Sequence, residues 1–192
     1  METKNIMIVG VGGQGSLLAS KLLGQLLISE GYDVKVSEVH GMSQRGGSVV
    51  TYVRYGERVA SPIICNGEAD FIVSFEKLEA ARHASCLRKD GKIIVNSQQI
   101  DPMPVIIGNA EYPVSVLDEL RESGLFVDEL DALALAENAG SQKTVNIVLM
   151  GRLAKYLGIP KEKWIQEIER SVKPQFIEMN KKAFALGYDY VS

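Results

Sequence analysis

Residues 6–29 read IMIVGVGGQGSLLASKLLGQLLIS: a short apolar run, a glycine-rich bend, then leucines at helical spacing. Ile6 to Val9 has no polar interruption, which suits a parallel strand buried on both faces. Leu17, Leu18, Leu22, Leu23, Leu26 and Leu27 keep the helical period between Gln14 and Ser29, and Gly31 takes the C-cap place. The chain then returns through YDVKVSEV (32–39), which reads as a buried strand. A β-α-β unit is therefore expected, in a sheet whose strands send their exit loops to one shared edge.

Working outward, SVVTYVRYGE (48–57) alternates like a strand, and ADFIVSFE (69–76) reads as a buried strand with Glu76 at its exit. A helix is expected over KLEAARHASCLRKDG, ending at Gly91, followed by the strand KIIVNS (92–97). DPMPVIIG (101–108), punctuated by Pro102 and Pro104, suits an edge strand. Ser115 to Ser123 reads as a helix, LFVDELD (125–131) as a short strand, and Asp131 as the cap of an alanine-rich helix that stops at Gly140. Further helices are expected from Gln142 to Tyr156, from Pro160 onward, and up to Gly187. No repeat, low-complexity tract or linker interrupts the 192 residues. The expected fold is one α/β domain, Rossmann-like and three-layered, with a mostly parallel sheet and a helical C-terminal part.

Composition excludes several function classes. A net charge of −3, with Lys and Arg scattered, lacks the basic footprint of a nucleic-acid binder. The apolar runs fall short of a bilayer crossing, and METKN leads straight into a strand and glycines rather than an export signal. Cys65 and Cys86 have no metal-ligand spacing and read as reduced thiols of a cytoplasmic protein.

Gly10-x-Gly12-x-x-Gly15 lies between strand and helix, the context in which missing side chains let a backbone approach a diphosphate. The first amides of the helix then point at the anion. The candidate loop comprises Gly10, Gly12, Gly13, Gln14, Gly15 and Ser16. Glu38 follows Gly15 by 23 residues, about where a dinucleotide fold places its ribose-binding acid. An NAD or FAD site is the literal reading. A tight turn that only serves packing is the other, and Gly13 is one glycine more than the dinucleotide pattern requires.

A second stretch, HGMSQRGG (40–47), takes the place where such a fold usually starts a helix. His40 can exchange a proton near neutrality, Ser43 can donate or accept, and Arg45 can fork onto a phosphate or carboxylate. Gly46 and Gly47 admit close approach of another backbone. A surface loop with a satisfied histidine and a salt-bridged arginine fits the same residues, and no general base is assigned. Asn138, Gln142, Lys143 and Asn146 form a polar break between two helices, and Asn146 stands among Val145, Ile147 and Val148. It is either a ligand-binding amide or one spent on backbone. Trp164, Ile165, Ile168, Phe176 and Phe184 make a C-terminal apolar stripe, read as core or a partner-docking surface.

GVGGQG (10–15) followed by EVHGMSQRGGSVVTYVRYG (38–56) closely resembles the gamma-type subunit of 2-oxoacid:ferredoxin oxidoreductases. Within that family the chain is most similar to the beta subunits of indolepyruvate ferredoxin oxidoreductases. NAGSQKTVNIVLMGRLAKYLGI (138–159), PKEKWIQEIERSV (160–172) and NKKAFALGYDYV (180–191) carry the resemblance to the end of the chain. It implies an accessory catalytic subunit of an enzyme that decarboxylates a 2-oxoacid, passes electrons to ferredoxin and hands the acyl group to coenzyme A. Two separated cysteines cannot hold a [4Fe–4S] cluster, and no GDG motif for thiamine diphosphate and Mg²⁺ is present. The resemblance accordingly implies that these cofactors belong to a larger alpha subunit, and that the chain is inactive without it. It further implies that Gly10–Ser16 and His40–Gly47 line a coenzyme A path or the subunit interface. A gamma subunit for pyruvate, 2-oxoisovalerate or 2-oxoglutarate, and a stand-alone NAD- or FAD-binding protein, are the alternatives.

Overall fold

The computed structural model describes residues 2–40 and 47–191. Six strands form one sheet: β1 (Lys4–Val11), β2 (Asp33–His40), β3 (Ser48–Gly56), β4 (Ala69–Ser74), β5 (Leu87–Asn96) and β6 (Phe126–Leu130), in the order β2-β3-β1-β4-β5-β6. β1, β4, β5 and β6 run parallel, while β3 is antiparallel to both of its neighbours, β1 and β2. The helices are α1 (Ser16–Ser29), α2 (Lys77–His83), α3 (Met103–Ile106), α4 (Val116–Glu122), α5 (Ala132–Ala139), α6 (Val145–Leu157), α7 (Lys161–Ser171) and α8 (Ile177–Tyr188).

Two apolar layers sandwich the sheet, as the alternation along its strands requires. Ile6 and Ile8 point into a large core with α1, α5, α6, α7 and α8, where Trp164 packs on Phe184. Met7 and Val9 point to the smaller core under α2 and α4. All four residues of that central run are 0% exposed, which is what an uninterrupted apolar segment in a doubly covered strand demands. Among the described residues, no helix is long and apolar enough to cross a membrane.

The expected β1-α1-β2 unit is present, with β3 inserted between its two parallel strands and paired with both. Three expectations are corrected. β2 is consequently an edge strand, and Val36 and Val39 are 47% and 52% exposed rather than buried. The helix after β4 ends at His83, not Gly91. Gly91 lies inside β5, where Asp90 adopts φ 65° and the register against β4 shifts. A Cβ on Gly91 would come within 2.9 Å of the Leu87 side chain and 3.0 Å of the Ala69 carbonyl, so the irregular strand needs the missing side chain. Finally, Met103 to Ile106 is a helical turn rather than an edge strand, with Pro104 in its first turn, where proline's fixed φ fits.

Gly187 lies within α8 instead of marking its stop. It faces Gly151 of α6 across a very close crossing. A Cβ on Gly187 would lie 1.9 Å from the Val148 carbonyl oxygen, and one on Gly151 would lie 2.2 Å from that of Phe184. Backbone cannot retreat from such a contact without separating the two helices. Gly187→Ala is therefore expected to destabilise the fold by about 1–3 kcal/mol or more, as overpacking does, read as a lower denaturant midpoint at unchanged slope.

Candidate functional site

The glycine loop joins the end of β1 to the start of α1 on the rim formed by the C-terminal ends of the parallel strands. Gly13 and Gly15 adopt φ of 103° and 91°, a left-handed conformation that other residues enter only with strain. Gly15 is the N-cap of α1 and supplies no side-chain cap. The first amides of a helix lack intrahelical acceptors, so this end presents N–H groups and positive potential outward. Nothing lies within 4 Å of where a Gly13 Cβ would stand, leaving the backbone open to an approaching ligand.

Gln14 holds the bend. Its Oε1 accepts from the Val11 amide at 2.7 Å, while its Nε2 donates to the Phe75 carbonyl at 3.1 Å and to Gln98 Oε1 at 3.3 Å. Asn96, fully buried, donates to the same Phe75 carbonyl and accepts from the Ala132 amide, joining the ends of β4, β5 and β6 to the loop. Gly10 makes room for this staple, since a Cβ there would meet Gln14 Oε1 and Phe75 Cβ at 2.9 Å. Asn146, 3% exposed in the first turn of α6, donates to the Gly15 carbonyl at 3.5 Å and packs beneath that glycine.

Both described ends of the second stretch arrive at this rim. His40 pairs with Val49 at the end of the β2–β3 hairpin, and the Gly12 amide donates to the Gly47 carbonyl at 2.8 Å. Ser43, Arg45 and Gly46 lie outside the described residues, as does the His40 side chain. Ser48 follows Gly47 and its hydroxyl donates to the Glu79 carboxylate on α2. Burial raises the Glu79 pKa, against the Ser48 hydroxyl and Arg82, which lower it. Glu76 is on the rim but 1% exposed, with both carboxylate oxygens committed. One caps α2 through the Glu79 amide, and the other accepts from the Ile100 amide and the Tyr112 hydroxyl. Burial and the Glu76 hydrogen bond hold the Tyr112 hydroxyl protonated. Glu76 is thus a structural anchor for the 97–115 segment.

Two depressions flank the glycine loop. One, of about 440 Å³, is lined by Gly12, Gly13, Gly15, Ser16, Leu17, Glu38 and Val49. The other, of about 450 Å³, runs from Gly13 and Gln14 to Gln98, Gln142, Lys143 and Asn146. Glu38 does face the first depression, but from a strand two places from β1, roughly 9–10 Å away at ordinary strand spacing. A dinucleotide fold has that acid on the neighbouring strand. Asn138 lines neither depression; its carbonyl instead accepts from Lys182. Gln98 and Asn96 went unnoticed in the sequence, because isolated amides after a strand carry no motif.

A diphosphate fits the open amides of Gly13, Gly15, Ser16 and Leu17, and the Glu38 carboxylate opposite, which also accepts from Thr51, can take an amino or hydroxyl donor on the same ligand. Among the described residues no cluster of three His, Cys, Asp or Glu can hold a metal ion, and Cys86 Sγ is directed to Asn66 Oδ1.

Residues 5–190 match the pyruvate ferredoxin/flavodoxin oxidoreductase model. The chain belongs to that family. It is 46% identical to the indolepyruvate oxidoreductase subunit IorB of Thermococcus kodakarensis, over 97% of this chain and 95% of that one. The pyruvate oxidoreductase subunit PORC of Thermotoga maritima superposes with a TM-score of 0.76 at 21% identity, covering 100% and 98% of the two chains. A 2-oxoglutarate:ferredoxin oxidoreductase from Magnetococcus marinus, solved with 2-oxoglutarate, coenzyme A and succinyl-CoA bound, aligns over 97% of this chain and 30% of its own. Its TM-score is 0.73 at 16% identity. These solved structures carry the same fold, and the chain is an accessory subunit of a 2-oxoacid:ferredoxin oxidoreductase.

The Gln14 staple ties the loop to the end of β4 and to Gln98. Gln14→Ala takes the acceptor from the Val11 amide, while the Phe75 carbonyl keeps its bond from Asn96, and is expected to cost about 1–3 kcal/mol. Urea denaturation compared with wild type checks it.

Proposed function

We propose that this subunit serves an indolepyruvate, or more broadly an aryl-pyruvate, ferredoxin oxidoreductase of the cytoplasm. Its products would be an aryl-acetyl-CoA, carbon dioxide and reduced ferredoxin. The subunit is inactive alone. A larger alpha subunit carries thiamine diphosphate, Mg²⁺ and [4Fe–4S] clusters, which supply the decarboxylation and the electron path. Close identity to an indolepyruvate oxidoreductase subunit over nearly the whole chain supports the aryl side chain.

The observation that carries the role of this chain is the open glycine rim. Coenzyme A is a polyanion with an adenine amine and a ribose hydroxyl, which matches the amides of Gly13, Gly15 and Ser16 facing the Glu38 carboxylate. These residues bind and orient the acceptor; none moves a proton. The insertion of β3 leaves the NAD or FAD reading without its acid beside β1.

Co-expression with the larger subunit is expected to yield a complex containing thiamine and iron–sulfur clusters. With coenzyme A it should reduce ferredoxin on indolepyruvate with kcat/KM at least about tenfold above pyruvate or 2-oxoglutarate. A preference for either small 2-oxoacid overturns the aryl assignment. In the same complex, Gly13→Ala adds a side chain over the open amides at φ 103°. The KM for coenzyme A is expected to rise about tenfold, with that for indolepyruvate unchanged. An unaltered coenzyme A KM removes the loop from acceptor binding.

A further inference from the structure

The largest of the described cavities is a groove of about 750 Å³ away from the glycine amides. Its walls are the start of α1, the α5–α6 connection, the α7–α8 connection and α8. Leu18, Val172, Phe176 and Met179 give it an apolar lining, and Lys143 and Lys173 stand on two different walls. Leu18 and Lys143 also line the depression beside Gly13 and Gly15, so the groove is continuous with the site.

Three observations indicate what it holds. Leu18 and Phe176 are 41% and 42% exposed, an unusual use of large apolar side chains along a concave surface unless something covers them. Met179 adds the adaptable lining found where a groove accepts another chain. The charges supply the third. Lys161, Lys163 and Lys181 on α7 and α8 each meet a carboxylate, whereas Lys143 and Lys173 have none among the described residues. Lys182, on the same side of α8, is turned to the Asn138 carbonyl rather than to an acid. In a chain of net charge −3, these lysines around an apolar floor await carboxylates from elsewhere.

We infer that this groove receives an acidic amphipathic segment of the larger partner subunit, its apolar residues against Leu18, Phe176 and Met179 and its carboxylates on Lys143 and Lys173. This rests on the reading of the chain as an accessory subunit. It adds the surface and chemistry of the contact, in the manner of a helix laid in a groove. Because the groove opens onto the glycine rim, the docked segment also forms the outer wall of the acceptor site.

The test uses the co-expressed complex with Phe176→p-benzoylphenylalanine. Irradiation should crosslink the partner, and mass spectrometry should place the crosslink in a peptide that interleaves acidic and apolar residues. Absence of a crosslink, or one to a peptide without acidic residues, overturns the inference. Separately, Lys173→Glu should weaken subunit association by about tenfold, and an unchanged dissociation constant counts against it equally. Turnover in the unmodified complex keeps the two readings apart. Aryl-pyruvate oxidation without a crosslink removes only the groove, and a crosslink without aryl-pyruvate oxidation removes only the substrate assignment.

Discussion

One hydrogen bond, from the Gly12 amide to the Gly47 carbonyl, joins the two stretches on which the site depends. It is possible only because β3 runs antiparallel between β1 and β2, so that Val11 stands opposite Ser48. A backbone donor at the tip of a glycine loop is ordinarily left for a ligand. Here the Gly12 amide is given to the returning hairpin and that of Gln14 to the Val11 carbonyl, and those of Gly13, Gly15, Ser16 and Leu17 are left open. The exchange moves Glu38 outward by one strand and turns a dinucleotide-like motif into a wider rim.

The central fold was legible where burial is two-sided. Ile6–Val9 and Ile93–Val95 become core strands because an unbroken apolar run has no other low-energy place. The errors fall where local pattern and tertiary position part. YDVKVSEV has the spacing of a strand, but nothing in it says that its outer neighbour is water. LRKDG looks like a helix end because Gly91 follows charged residues, yet Leu87 pairs with Ala69, and the glycine serves strand packing. Pro102 and Pro104 exclude a central strand, but they suit a first helical turn as well as a sheet edge.

The site was legible as backbone and less so as side chains. The glycines could be read from spacing, since only they tolerate the left-handed angles at positions 13 and 15. Gln14 was named as a ligand-side residue, whereas both ends of its amide are spent on Val11, Phe75 and Gln98. Glu76 was placed correctly on the rim, but its burial beneath Tyr112 depends on a residue 36 positions away. Asn146 joins the two alternatives left open for it: its amide binds backbone, and the backbone it binds is the glycine loop itself.

That last contact ties the far helical layer to the rim. Gly151 and Gly187 let α6 and α8 meet backbone to backbone, so neither helix can slide without a clash of carbonyls. Asn146 sits one turn and a little more before Gly151 on α6, and its position under Gly15 is fixed by the same crossing. α8 in turn contributes Met179 and Asn180 to the groove beside Lys143. A single close crossing therefore sets both the floor of the glycine loop and one wall of the groove.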